Sequence, residues 1–329
     1  MVSYLWLVSN EVPRRIIFIL TLALTPTDNG ISSDLYNSNI IIADTFNPDK
    51  IPPLITYLAH MTYREIKPGH LLKPYVKCYY VYVSSSAASF DDYVFPSGCV
   101  ELIFNLGSGS WQIDGGKGFV TTPAVELWGQ ITAPLAVRST GKNMMLGVRF
   151  FPHGASSLLK DNLDALNNSV IDFRDVSIHV RELYKRLQDT VDWNQRINLL
   201  EECLLQSILK GPAKNNKLGV VNDVMEEMTQ SNFFDNIDNV ASRYGITSRY
   251  LQKLFLQHTG LTPKLYQKIN RFQNSLKQVT RRNSSLTDIA YQCGYFDQSH
   301  FIREFKSFTG VTPSSFVAER SPITVAVVG

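Results

Sequence analysis

The segment that decides the fold is Ile289–Phe305, which reads IAYQCGYFDQSHFIREF and is followed shortly by TGVTP. A related segment precedes it in the chain, VASRYGITSRYLQKLF at residues 240–255, and it is followed by TGLTP. From Thr247 and Asp297 onward the two copies align at an offset of 50, and the turn of the second copy is one residue longer. Such an internal repeat indicates two copies of one supersecondary unit in tandem.

Each copy predicts a helix, a tight turn and a second helix. The first helix carries a small residue that permits close helix crossing, and it ends at a glycine that can adopt positive φ: Ala241 and Gly245, then Ala290 and Gly294. Thr247 and Asp297 are residue types that cap the next helix, although Ser248 could replace Thr247 in that role. The second helices have apolar faces made of Leu251, Leu254 and Phe255, and of Phe301, Phe305 and Phe308.

The opposite face of each second helix is polar and partly cationic. Arginine and lysine can donate to guanine O6 and N7, glutamine can pair with adenine, and lysine can also meet phosphate. A helix-turn-helix presents such a face to the major groove of double-stranded DNA. The candidate DNA-binding residues are Arg249, Gln252 and Lys253 in the first copy, and Gln298, Ser299, His300, Arg303 and Lys306 in the second.

A single long helix is predicted between the two copies, because apolar residues recur on one helical face at Leu265, Ile269, Phe272, Leu276 and Val279. Charge is also concentrated in this part of the chain. Residues 237–316 hold 11 basic and 4 acidic residues, a net charge of +7, whereas the whole chain carries +3. A basic segment in a mildly acidic chain indicates a polyanionic partner. The repeat, the connecting helix and this charge together favour DNA binding over a plain helical bundle.

These features resemble the AraC/XylS family of transcription regulators. The resemblance covers roughly residues 222–317 and rests on GITSRYLQKLF at 245–255, TGLTP at 259–263, GYFDQSHFIREF at 294–305 and GVTP at 310–313. It implies that the helices carrying Arg249 and Gln298 enter successive major grooves. We therefore expect a cytoplasmic DNA-binding transcription regulator. Double-stranded DNA is the expected partner, and RNA polymerase, a small-molecule effector and a second copy of the chain are further candidates.

Residues 61–151 read as a series of short strands. Aromatic and β-branched runs recur about every ten residues: Lys77–Val83, Val100–Leu106, Trp111–Asp114, Ala124–Ile131, Leu135–Ser139 and Met144–Phe151. This spacing predicts a β-sandwich or a β-barrel. The region resembles the sensor domain of one branch of the same family, on FPSGCVELIFN at 95–105 and GVRFFPHGA at 147–155. That resemblance implies a cupin-like barrel.

Beyond the strands the apolar period becomes helical, over Ile178–Gln188 and Trp193–Leu209. The second of these helices has one apolar stripe, which packs either on the β domain or on its mate in a homodimer: Ile197, Leu200, Leu204 and Ile208. The polar run GPAKNNK at 211–217 then indicates a linker.

The predicted fold class is α+β multidomain, with an N-terminal cupin-like antiparallel β-barrel plus helices and a C-terminal all-α domain with two helix-turn-helix units. The predicted boundaries are an extension at 1–60, a cupin-like sensor domain at 61–160, a helical connector and dimerisation segment at 161–211, a linker at 212–221 and an AraC-type DNA-binding domain at 222–319.

The extension at 1–60 has a different character from the rest of the chain. Arg14 and Arg15 precede an apolar run, Ile16–Leu24, that is far shorter than the roughly 20 residues needed to cross a bilayer. A regular pattern starts only at Met61. We interpret residues 1–60 as a non-native or disordered extension, with Met61 as the start of translation, and we expect no membrane partner.

Cofactor and metal sites are not expected. Cys78, Cys99, Cys203 and Cys293 are far apart in the sequence, which favours free thiols. His70 and His153 are the histidines of the barrel segment, and they lie on different predicted loops, so a metal centre is not predicted there.

Two questions stay open at this level. Glu101 lies in an apolar strand, where it either binds a ligand or pairs with a group such as Arg149. An alternative function is a cupin-like enzyme or a DNA-repair protein with a DNA-binding appendage, which needs a reactive thiol in a cationic setting. Cys99 has no lysine, arginine or histidine next to it in the sequence, so we favour a regulator with no catalytic residues.

Overall fold

The computed structural model describes residues 18–22, 38–42, 61–85, 89–156, 159, 163–209, 216–229, 236–281 and 284–318. Within the predicted extension at 1–60, strands β1 (Phe18–Leu22) and β2 (Ser38–Ile42) pair antiparallel. The rest of that extension lies outside the described residues, and its interpretation stays a prediction. Among the helices that are described, none combines the length and the apolar character that a membrane span requires.

The N-terminal domain is built from ten antiparallel strands that the structure describes between residues 61 and 172. They are β3 (Met61–Ile66), β4 (Val76–Ser84), β5 (Phe90–Val94), β6 (Val100–Asn105), β7 (Ser110–Asp114), β8 (Phe119–Thr121), β9 (Val125–Trp128), β10 (Leu135–Thr140), β11 (Asn143–Phe150) and β12 (Val170–Asp172). They form a six-stranded sheet, β12-β9-β6-β11-β4-β3, and a four-stranded sheet, β5-β10-β7-β8. Because these described strands form two separate sheets, the expected barrel is open.

The six-stranded sheet is buried on both faces, which explains why β4 reads as a nearly continuous apolar run. Alternate residues of a strand point to opposite faces of the sheet. Tyr79 and Val81 belong to the core between this sheet and the helices that follow it. Tyr80 and Tyr82 point the other way, into a second core that is shared with the four-stranded sheet. The second core lines the cavity described below.

The helices of this domain cover the outer face of the large sheet. They are α1 (Pro152–Ala155), a 3-10 helix at Leu163–Leu166, α2 (Phe173–Val176), α3 (Ile178–Asp189) and α4 (Trp193–Leu209). Ile197, Leu200 and Leu204 on α4 are buried in the core against the sheet. The apolar stripe of α4 therefore packs within the chain, which was one of the two alternatives, and dimerisation stays a prediction.

The C-terminal domain consists of helices. They are α5 (Asn216–Thr229), α6 (Ile237–Arg243), α7 (Ser248–Thr259), α8 (Pro263–Arg281), α9 (Leu286–Gln292), α10 (Gln298–Thr309) and α11 (Pro313–Ala318). The pairs α6–α7 and α9–α10 are the two predicted helix-turn-helix units, and α8 is the predicted connecting helix. Helix α5 begins at Asn216, inside the segment 212–221 that the sequence had suggested as a linker.

Both helix-turn-helix units share one hydrophobic core. Phe255 of the first unit, Phe305 of the second and Phe272 of the connecting helix all lie in it, and each of the three is fully buried. Val224 of α5 also belongs to this core. One continuous core fixes the two units relative to each other more firmly than two separate small cores could.

The two domains are in direct contact. The Phe95 ring of the β5–β6 loop packs edge-on against the Phe316 ring of α11, with centroids 5.7 Å apart. The amide of Gln273 on α8 donates to the Pro96 carbonyl at 2.6 Å. Near the 3-10 helix, the Asn167 amide donates to the carbonyl of Gly260, which ends α7, at 2.7 Å. The N-terminal domain therefore contacts both the first helix-turn-helix unit and the connecting helix.

Candidate functional site

The turn of the first unit has the predicted geometry. Gly245 has φ +66°, and Thr247 is the N-cap of α7, because its hydroxyl accepts from the Tyr250 N–H at 3.2 Å. The predicted inward residues of α7 are buried, and its predicted outward residues are all exposed: Arg249, Gln252 and Lys253.

The second unit repeats this arrangement. Gly294 has φ +78°, and the Asp297 carboxylate caps α10 by accepting from the His300 N–H at 2.6 Å. The predicted inward phenylalanines of α10 are buried. Four of the predicted outward residues are exposed: Gln298, Ser299, Arg303 and Lys306. The two units thus present two polar, cationic helix faces to solvent.

His300 differs from the other candidate residues because its ring is already engaged within the protein. The ring is half-buried, and its Nδ1 accepts from the Phe296 N–H at 3.5 Å. Its Nε2 lies 3.8 Å from a carboxylate oxygen of Glu304. His300 therefore supports the turn, and its capacity to bind an external ligand is smaller than the sequence suggested.

Gln298 is held by the first helix of its own unit. Its side-chain oxygen accepts from the Thr287 hydroxyl of α9 at 3.0 Å. This bond leaves the amide nitrogen of Gln298 as the group that can donate outward.

A buried ion pair fixes α10 against the connecting helix. Arg271 donates through two nitrogens to the two carboxylate oxygens of Glu304, at 2.9 and 2.6 Å. The Glu304 side chain is 6% exposed, and the Arg271 guanidinium also lies over the Tyr295 ring, 4.6 Å from its centroid. The sequence analysis did not predict this pair. Glu304 lies between Phe301 and Phe305, close to the apolar face of the helix, and a carboxylate in that position indicates a buried cationic partner.

A cavity of about 220 Å³ lies between the two sheets and the connecting helix. Among the described residues, seven aromatic side chains line it: Tyr63, Tyr80, Tyr82, Tyr93, Phe95, Trp111 and Trp128. Helix α8 closes one side with Gln273, Leu276 and Lys277. Both domains therefore contribute to the same cavity.

An ion-pair network lies in the cavity wall. Arg149 donates to Glu101 at 3.0 Å, to Glu65 at 2.8 Å and to the Tyr63 hydroxyl at 2.9 Å. The Tyr80 hydroxyl donates to the second oxygen of Glu101 at 2.9 Å. Glu101 is thus paired with Arg149, which was one of its two predicted roles. Hydrogen bonds to both carboxylate oxygens of Glu101 offset the cost of partly burying its negative charge.

Two lysines add positive charge to the cavity wall. Lys77 comes from β4 of the sheet, and Lys277 comes from α8. Burial lowers the pKa of Lys277, and the positive charges of Lys77 and Arg281 lower it further. The two ammonium groups are therefore close enough to repel each other, which an anion bound between them would relieve.

The surroundings of Cys99 correct an expectation from the sequence. Cys99 lacks a cation next to it along the chain, but the fold brings Lys77 Nζ to 3.9 Å from its sulfur. Cys99 accordingly raises the pKa of Lys77. Sequence adjacency could not reveal this contact, because Lys77 lies on β4 and Cys99 lies in the loop between β5 and β6. Cys99 therefore has a cation beside it in the fold, although it has none beside it in the sequence.

The described residues contain no group of three or more histidine, cysteine, aspartate or glutamate side chains that could hold a metal ion. The four cysteines are free, and Cys78 and Cys99 are buried. Burial raises the pKa of the Cys78 thiol to about 12, and it raises the pKa of Cys293 to about 11. Those two thiols are therefore protonated at neutral pH.

Both halves of the chain match known protein families. A model described as a helix-turn-helix domain matches residues 240–319, and a model described as a domain of unknown function matches residues 64–172. The probable transcription factor PqrA of Proteus vulgaris is 32% identical over 100 residues, which are 30% of this chain and 82% of PqrA.

Other similar proteins match over smaller shares. The transcriptional activator RhaS of Pectobacterium carotovorum is 30% identical over 88 residues, 26% of this chain and 32% of RhaS, so the chain spans about a third of that relative. The solved structure of ToxT from Vibrio cholerae is similar with a TM-score of 0.41 and 13% identity, over 73% of this chain and 97% of ToxT.

The tandem units and their exposed faces define a helix-turn-helix protein. The similarity to PqrA extends over most of that transcription factor, so it narrows the class from helix-turn-helix proteins in general to one family. The chain belongs to the AraC family of transcription regulators.

Proposed function

We propose that this chain is a sequence-specific DNA-binding transcription regulator whose N-terminal domain binds a small-molecule effector. The observation that carries the proposal is the pair of exposed recognition faces, on α7 and α10, held on one core. Helix-turn-helix recognition helices read base edges from the major groove, and successive grooves on one face of DNA lie about 34 Å apart. One protomer would then contact two adjacent grooves.

The second unit separates base reading from phosphate binding. Arg303 lies on the exposed face of α10, one turn after Ser299. Its planar guanidinium group can donate two hydrogen bonds to O6 and N7 of a guanine. Lys306 lies in the last turn of α10 and carries a point charge that suits phosphate. Arg249, Gln252 and Lys253 take the corresponding roles in the first unit.

The test starts from DNA sites selected by the full chain from random sequence. Arg303→Ala should weaken the selected site by about 1–3 kcal/mol and relax the preference at one base position. Lys306→Ala should weaken all sequences alike and lower the slope of log affinity against log salt by about one. Lys185→Ala, an exposed lysine on α3, is the matched control and should change neither quantity. If the wild-type chain selects no sequence, the proposal is wrong.

The effector site we propose is the cavity between the sheets and α8. Its aromatic walls favour a planar apolar body, because stacked and edge-on ring contacts add to apolar burial. Lys77, Arg149 and Lys277 carry three positive charges there against two negative charges on Glu65 and Glu101. Among the residues that the structure describes, Lys277 forms no ion pair. This unpaired ammonium group and the surplus of positive charge favour an effector with one negative group.

Three further roles complete the proposal. Since the matched relatives are named as transcription factors and activators, we propose regulation and no catalysis for this chain, with RNA polymerase as a protein partner. We propose that the chain acts in the cytoplasm. A second copy of the chain is the remaining partner, and its docking surface lies elsewhere than the buried stripe of α4.

A further inference from the structure

The second helix-turn-helix unit differs from the first by one inserted residue, and the structure shows which residue it is. The Ile246 N–H donates to the Ala241 carbonyl at 3.1 Å, and the Tyr295 N–H donates to the Ala290 carbonyl at 2.9 Å. Ile246 and Tyr295 are therefore equivalent positions at an offset of 49.

The next equivalent positions are the caps. Thr247 caps α7 and Asp297 caps α10, which is an offset of 50. The insertion is thus Phe296, which lies between Tyr295 and Asp297 and has no counterpart in the first unit.

The inserted phenylalanine is held out in solvent. Phe296 is 86% exposed, whereas the neighbouring Tyr295 is 4% exposed and packed in the core. Its backbone is fixed on both sides, because the Phe296 N–H donates to His300 Nδ1 and Asp297 caps the helix. Single exposed apolar residues are common on protein surfaces. Phe296 differs from such a residue in two ways: its backbone is held beside a helix N-terminus, and it is inserted in only one of the two repeated units.

We propose that Phe296 contacts the 5-methyl group of a thymine in the major groove and so adds a T preference to the site read by the second unit. This inference rests on the proposed DNA-binding function. Phe296 directly precedes the N-cap of α10, next to Gln298 and Ser299, and the N-terminal residues of a recognition helix are those that meet base edges. The thymine methyl is the apolar group that the major groove offers, and phenylalanine is a side chain that pairs with it.

The contact explains why the insertion is aromatic and uncharged. A cation at this place would reach phosphate and strengthen binding to every sequence alike. An apolar ring gains only where a methyl group is removed from water with it, which makes its contribution sequence-dependent.

The experiment uses the full chain and the DNA site that it selects. Each thymine of the site is replaced in turn by deoxyuridine, which lacks the methyl group and keeps the base-pairing edge. The wild-type chain should lose about fourfold in affinity at one thymine, which is the effect of leaving one methyl group in water. Phe296→Ala should weaken the all-thymine site by about the same factor and should be insensitive to deoxyuridine at that position.

Tyr291→Ala is the matched control, because Tyr291 is a 63% exposed aromatic residue of α9 in the same unit. It should keep the wild-type sensitivity to deoxyuridine. If Phe296→Ala retains that sensitivity, or if the wild-type chain binds its site but no thymine methyl affects affinity, the inference is overturned while the proposed function stands. Failure of the wild-type chain to select any site would instead refute the proposed function.

Discussion

The Arg271–Glu304 pair gives the sharpest test of how the second recognition helix is held. Arg271→Met removes the guanidinium and keeps a long apolar chain, so it leaves the Glu304 carboxylate buried without its cation. Removing one partner of a buried ion pair typically costs 3–5 kcal/mol. Because the Arg271 side chain is still 18% exposed, we expect the lower end, about 3 kcal/mol.

A loss of this size should lower the unfolding midpoint of the helical domain by at least about 10 °C, measured by circular dichroism at 222 nm. The double variant Arg271→Met/Glu304→Leu removes both charges and should recover most of the loss. Arg138 is the control, because it makes the same two-bond contact with Asp91 at 2.6 and 2.7 Å but on the surface. If Arg271→Met shifts the midpoint no more than Arg138→Met, burial does not make this pair important.

Two further predictions concern the N-terminal domain. Burial raises the pKa of Glu126 to about 7, so the folded state holds its proton more tightly than the unfolded chain does. Stability should therefore fall by about 3 kcal/mol as pH rises from 4.5 to 7, and Glu126→Gln should flatten this dependence in thermal unfolding at pH 5 and pH 8. For the cavity, titration calorimetry with naphthalene-2-carboxylate should show binding that Lys277→Met weakens and that the cavity-filling Ile103→Trp abolishes. Equal affinity in all three proteins would move the effector site elsewhere.

The helix-turn-helix units were predictable from the sequence because their signals are local. A glycine that must adopt positive φ, a capping side chain and an apolar face with helical period all lie within about 16 residues. Gly245 and Gly294 adopt positive φ, and Thr247 and Asp297 are the caps, as predicted. These predictions are confirmed because each depends on a few neighbouring residues and not on the rest of the fold.

The contacts that build the sites were not predictable in the same way. Arg271 and Glu304 are 33 residues apart, and Gln273 and Pro96 are 177 apart, so no local pattern links them. The short strand β8, Phe119–Thr121, is largely exposed and lacks an apolar period, which is why the sequence did not reveal it. Whether the strands close into a barrel depends on hydrogen bonds between distant strands, which residue patterns do not specify.

The engagement of His300 was missed for a related reason. Its position on the outward face of α10 is correct, but a side chain on an outward face can still turn back to its own helix terminus. Helical periodicity gives the direction of Cα–Cβ and does not give the rotamer.

The contacts between the domains have a thermodynamic consequence. Asn167 donates a hydrogen bond to the Gly260 carbonyl at the end of α7, and Gln273 of α8 donates one to the Pro96 carbonyl. Helix α8 also forms a wall of the cavity. An effector that favours one arrangement of these contacts would change the affinity for DNA by some factor. Linkage then requires DNA to change the affinity for the effector by the same factor. With such an effector, promoter DNA would itself regulate effector binding.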